Sequence, residues 1–119
     1  VNEDVKRQWV AALRSGKYEQ GRQRLEKDGR FCCLGVLCDL AVKAGVVERV
    51  HGEYEHGVVG FARPSDPEGP NASTPPWAVV KWAGMDSDLM ALTIRALINL
   101  NDIKGLSFEE IADRIEEQL

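Results

Sequence analysis

Ten consecutive residues near the first third of the chain, Cys32-Cys33-Leu34-Gly35-Val36-Leu37-Cys38-Asp39-Leu40-Ala41, carry a single charged side chain. A helix from about Cys32 to Ala44, stopped by Gly45 and charged only at Asp39 and Lys43, accounts for them. So apolar a helix belongs at the centre of a fold. Gly35 lowers its helix propensity and marks a place of close packing. The chain has 119 residues, room for one compact domain, so the remaining segments must wrap this helix. Cys32, Cys33 and Cys38 are odd in number, and two are adjacent, which makes a poor disulfide framework. Reduced thiols packed as small hydrophobes are expected instead.

The wrapping segments have their own signals. Val5, Trp9 and Leu13 fall at i, i+4 and i+8, with Val10 beside them, predicting a helix from about Asn2 to Ser15. Glu3 and Asp4 suit its first turn, Arg14 its last, and Gly16 the position after the cap. Pro76 to Ala83 reads as a short helix stopped by Gly84. Asp86-Ser87-Asp88 opens a longer one, Leu89 to Leu100, which is apolar nearly all round and is therefore expected to be buried. Ser107 and Glu110 form a capping box, and Phe108, Ile111, Ala112, Ile115 and Leu119 line one face of the last helix.

Two stretches are not helical. Residues 17–30 are polar, with Asp28-Gly29 as a turn before Phe31, and predict a short hairpin or irregular loop. Val46–Val50 and Glu53–Val59 predict two strands turning at His51-Gly52. All five prolines lie in residues 63–76, a loop or insertion that neither a helix nor a central strand survives. No internal repeat appears.

Composition limits the function classes. Hydrophobic residues are 44% and charged residues 29%, an ordinary soluble balance, and no apolar run nears the ~20 residues of a membrane span. Val1-Asn2-Glu3-Asp4 carries neither a basic nor an apolar leader pattern, so no secretory signal is expected. The net charge of −4 argues against coating nucleic acid, and direct nucleic-acid binding is not expected. Residues 1–30 nevertheless carry 8 Lys/Arg against 5 Asp/Glu, while residues 31–119 carry 7 against 14. A basic end of this kind can face an anion.

Several constellations compete for a function. Cys33-x4-Cys38-x12-His51-x4-His56 has zinc-finger spacing, but five residues of helix turn the two thiols about 140° apart. No metal and no cofactor is assigned. A Cys–His nucleophilic pair lacks any local motif, and burial raises a thiol pKa. The last two helices have a helix-turn-helix rhythm, but Glu109, Glu110, Asp113, Glu116 and Glu117 face a single base, Arg114, and phosphates would repel them. No Gly-x-Gly-x-x-Gly, P-loop or His-Glu-x-x-His motif is present. Asp39 is costly in an apolar helix unless paired, and Arg22, Arg24 and Arg30 are its nearest candidates in the preceding stretch. Tyr18, Gln20, Arg22 and Arg24 supply a ring, an amide and two guanidinium forks beside Gly21, a set suited to an anionic or nucleotide-like ligand. The same residues also make an ordinary exposed loop.

The run Trp9-x3-Leu13-Arg14-Ser15-Gly16-x-Tyr18-x-Gln20-Gly21-Arg22, followed by Phe31 to Ala41, resembles a widespread family of small, uncharacterised phage and prophage accessory proteins. Trp82-Ala83-Gly84, Leu100-Asn101-Asp102 and Ser107-Phe108-x-Glu110-Ile111-Ala112-Asp113-x-Ile115-Glu116 extend the resemblance over most of the chain except residues 46–76. It implies a phage protein in the reduced cytoplasm of a bacterial host, in a class whose members commonly bind something of the host's. No catalytic residue is carried over. The family pattern favours a small residue such as Gly after Arg22, where this chain has Gln23.

The expected architecture is α+β over residues 1–119, a single domain. About five helices surround the Cys-rich helix, with one or two short antiparallel hairpins. The Cys-rich helix and the 89–100 helix should form the core, closed by the first and last helices. The leading functional expectation is a non-enzymatic phage accessory protein that binds a small anionic ligand or a host protein and so counters host defence. Its site would be Tyr18, Gln20, Arg22 and Arg24, with Asp39 orienting them and the 63–76 loop as cover. An acidic interaction module that blocks a basic host surface is the alternative, and a small Cys-dependent enzyme is third.

Overall fold

A computed structural model describes residues 1–51, 55–66 and 69–119, and residues 88–91 in their backbone. The architecture is α+β. In chain order the elements are α1 (Glu3–Arg14), β1 (Glu19–Gln20), β2 (Glu26–Lys27), β3 (Arg30–Phe31), α2 (Cys33–Lys43), β4 (Glu48–His51) and β5 (Val58–Ala62), followed by α3 (Trp77–Trp82), α4 (Asp88–Asp102) and α5 (Phe108–Gln118).

α1 starts where Asn2 Oδ1 accepts from the backbone N–H groups of Asp4 and Val5, at 3.0 and 3.1 Å, and it ends before Gly16 at φ +75°. Val5, Trp9, Val10 and Leu13 form its buried stripe. Trp9 Nε1 donates to Cys33 O at 2.9 Å, which fixes α1 on the first turn of α2. α5 begins at the Ser107–Glu110 capping box and buries Phe108, Ile111, Ala112 and Ile115, packing most extensively against α1.

α2 occupies the centre, with Cys33 through Asp39 all buried. Gly35 is required there by contact. A Cβ at this position would lie 1.7 Å from Leu25 O, so only glycine lets the helix rest on the Leu25 backbone.

The short strands combine into one sheet in the order β1-β3-β2-β5-β4. Asp28 at φ +53° and Gly29 at φ +78° form a two-residue turn with both residues left-handed, and this sets β2 antiparallel to β3. β1 adds to β3 in parallel, and β5 joins β2 to β4 by antiparallel pairing. β2 is too short to cover β5. Asn71 takes the next place along that edge, exchanging backbone hydrogen bonds of 2.9 and 3.1 Å with Phe61, while Ala72 O accepts from Leu25 N at 2.7 Å. The proline-rich segment is thus pinned to the sheet at 71–72.

Three expectations need correcting. Among its described side chains the apolar α4 is covered on one face only: Leu97 and Asn101 are buried and Ile94, Ile98 and Leu100 pack partly against the core, but Leu92 is 64% exposed and Arg95 and Ala96 also face out. A helix of this composition buries only the face its neighbours cover, here the side that meets α2 and α5. Of the second predicted strand, residues 53 and 54 lie outside the described residues, residues 55–57 form a turn and only the part from Val58 is strand, with Val59 paired to His51, the last residue of β4. A turn at His51-Gly52 therefore rests on Gly52, which lies outside the described residues. Pro76 is the N-cap of α3 rather than its first helical residue.

Candidate functional site

Strand alternation divides the charged residues of residues 17–31 between the two faces of the sheet. Glu26, Phe31, Val59 and Phe61 share the face that packs on α2 through register and burial. Lys27 and Arg30, with Glu19 beside Arg30, share the opposite face.

On the α2 face, Tyr18 packs edge-on against Phe31 with ring centroids 5.1 Å apart. Its hydroxyl donates to Asp39 Oδ2 at 2.5 Å and accepts from Lys43 Nζ at 3.2 Å. Lys43 also lies 3.4 Å from Asp39 Oδ2, and Arg49 reaches Asp39 Oδ1 at 3.8 Å while ion-pairing with Glu26 Oε2. Partial burial and the bond to Asp39 push the Tyr18 hydroxyl pKa up. The bond to Tyr18 and the Asp39 charge raise Lys43. Burial raises Glu26 against the pull of Arg49, and its second oxygen, Oε1, is buried without a partner among the described residues. The partners of Asp39 are therefore Tyr18, Lys43 and Arg49, not Arg22, Arg24 or Arg30. Lys43 was legible at i+4 on the same helix. Arg49 was not, because strand pairing alone brings it there.

Gln20 faces the same way and is engaged. Its Nε2 donates to Asn101 Oδ1 at 3.0 Å and to Leu106 O at 2.7 Å. Asn101, fully buried, also accepts from Cys33 N at 3.2 Å and donates to Gly21 O at 2.9 Å and Asp102 Oδ1 at 2.8 Å. This asparagine ties β1, α2 and α4 together, a role its short polar side chain did not announce in the sequence.

Arg22 and Arg24 instead line a surface depression of about 200 Å³ with Gly21, Lys27, Asp28 and Arg30. Four cationic side chains meet one carboxylate there. Lys27 and Arg30 sit directly opposite each other across the tight turn. Arg24 ion-pairs with Glu55 Oε2 at 3.0 Å, and Lys27 Nζ lies 3.3 Å from Glu55 Oε1. Arg30 lies 3.8 Å from the exposed Glu19 carboxylate. Arg22, exposed, has no ion pair or hydrogen bond among the described residues. Its guanidinium abuts Gly105, where a Cβ would come within 2.8 Å of it. The structure thus brings Arg22 and Arg24 together, and separately Tyr18 with Asp39, but it does not bring the two pairs into one pocket. Gln23, between the arginines, adopts φ +68°, the conformation that a glycine at this position would take without strain.

The thiols lie elsewhere. Cys33 and Cys38 are fully buried in α2, while His51 and His56 are exposed. Burial pushes the Cys32 thiol up to about 11 and raises Cys33 and Cys38 well above the ordinary thiol value, the direction that disfavours the thiolate. Among the described residues no three His, Cys, Asp or Glu side chains gather as metal ligands, and no helix is long and apolar enough to cross a membrane.

The family model described as a domain of unknown function, DUF8296, matches residues 1–119. No curated protein and no solved structure matches the chain.

Proposed function

The chain belongs to the DUF8296 family, and we propose that this member is a non-enzymatic binder of a small anionic, nucleotide-like ligand, held in the depression formed by Arg22, Arg24, Lys27 and Arg30. One observation carries the reading: Lys27 and Arg30 face each other in register across a two-residue turn. Like charges directly opposite on a sheet repel, and a hairpin that retains them gains when an anion sits between them. Arg22 and Arg24 add two planar forks that match phosphate or carboxylate oxygens. In the setting the resemblance implies, a phage protein in a host bacterial cytoplasm, such a binder would act against a host defence by sequestering the anion it depends on.

The acidic-module reading has less support. Of the five acids on α5, Asp113 and Glu116 are paired with Arg14, at 2.6 and 3.0 Å, and Glu110 is held in the capping box. That leaves less free negative charge for a basic partner than the sequence count suggests.

A thermal-shift series with inorganic phosphate and nucleotides tests the proposal. Binding to the native state raises Tm with ligand concentration. Arg22→Ala is expected to remove most of the shift while leaving the unliganded Tm in place. No shift with any phosphate-bearing compound, alongside recovery of a host protein in a pull-down, would sink the small-ligand reading.

A further inference from the structure

Resting on that reading, we propose that Glu55 is an internal anion occupying half of the basic depression, and that the site takes a ligand with two linked anionic groups, a diphosphate, which displaces it. The four cations are unequally neutralised. Glu55 presents one carboxylate to two of them: Oε2 meets Arg24 Nε and Nη2 at 3.1 and 3.0 Å, and Oε1 meets Lys27 Nζ at 3.3 Å. Those bonds hold the Glu55 carboxyl below its ordinary pKa, as a ligand carboxylate bound there would be held.

The other half has no comparable counter-ion. Arg22 meets no carboxylate among the described residues, and the Arg30–Glu19 pair is long and exposed. Asp28, the acid of the lining, ion-pairs with none of the described residues and lies against Gly57, where a Cβ would come 2.0 Å from its Oδ1.

The position of Glu55 is built rather than incidental. Asp28 N donates to Gly57 O at 2.9 Å, and Val58 N donates to Glu55 O at 3.3 Å, so the 55–57 turn is clasped to the tip of the β2–β3 hairpin. A single small anion fits the Arg22–Arg30 half with Glu55 in place. Two linked anionic groups gain the Arg24–Lys27 half as well, by exchanging a half-buried internal ion pair for bonds of the same kind. Selectivity for diphosphate over monophosphate follows from that exchange. Glu55 sets the threshold that a ligand must exceed.

Calorimetric titration of orthophosphate, pyrophosphate and ADP into the wild type, Glu55→Gln and Arg24→Ala at one ionic strength tests this. The wild type should bind pyrophosphate more tightly than orthophosphate, and Glu55→Gln should tighten pyrophosphate about fivefold by removing the competitor. Arg24→Ala should bring pyrophosphate down to the affinity of orthophosphate, a result that stands even if Glu55→Gln fails to fold. ADP binding tighter than pyrophosphate supports a diphosphate carried on a nucleoside, and equal binding supports a free diphosphate. If the wild type binds pyrophosphate but Glu55→Gln binds it no tighter, Glu55 is not the resident anion. If no phosphate compound binds either protein, the anion-binding reading itself fails.

Discussion

Arg49 and Arg22 both serve the same small sheet, yet Arg49 reaches two carboxylates, Glu26 and Asp39, on the α2 side, while Arg22 meets none among the described residues. The difference is one of solvation. Glu26 and Asp39 are buried, so their charges must be paired within the fold. Arg22, Lys27 and Arg30 are exposed; water can solvate them, and no internal partner is needed. A cation placed where water suffices is free for something that arrives from outside. The first cluster is therefore paired within the fold, and the second is open to the ligand proposed for it.

Three substitutions break or sharpen that contrast. The largest effect is expected from Gly35→Ala, which forces a methyl group into the Leu25 carbonyl and separates α2 from the sheet that carries both clusters. A loss of about 3 kcal/mol or more in urea unfolding is expected, because backbone on both sides leaves no flexible group to yield. Next is Arg49→Met, which leaves Glu26 buried and unpaired at a cost of about 2 kcal/mol. This cost depends on pH. Burial raises the folded-state pKa of Glu26, so its ionisation reduces stability as pH rises from the unfolded to the folded value. Without Arg49 that pKa rises further, and the deficit should be smaller at pH 5 than at pH 8. The smallest effect, and of opposite sign, is expected from Arg30→Thr. Removing one of two facing cations should stabilise the unliganded protein by a few tenths of a kcal/mol while weakening phosphate binding. Loss of stability in that variant would mean that the outer arginines hold the fold after all.

Periodicity and caps made much of this fold legible. The stripe Val5–Trp9–Leu13, the Ser107–Glu110 box and the apolar Cys32–Ala41 run each specify a helix through local geometry, and each helix is present. The left-handed pair Asp28-Gly29 likewise makes its turn from local preference. α4 misled because an apolar surface shows only that burial is favourable, not that a neighbour will cover it. The candidate site was legible in its residue types and not in its grouping. Tyr18, Gln20, Arg22 and Arg24 lie close in sequence, but Tyr18 and Gln20 turn toward α2 and α4 while the arginines line the outer depression. Lys27, Arg30 and Glu55 joined that depression only through the pairing of β2 with β3 and the clasp of the 55–57 turn on the hairpin.

By itself the sequence determined which segments are helical, that α2 would be buried, that the thiols would be core groups, and that the first thirty residues would be basic. These follow from side-chain chemistry and spacings of a few residues, interactions that a chain carries into any fold. Tertiary structure alone decided the strand register, and with it which charges face the core and which face water. A shift of one residue in a strand exchanges its two faces. The assignment of Glu26 to Arg49, of Tyr18 to Asp39, and of four cations to one open depression therefore exists only once the five strands have paired.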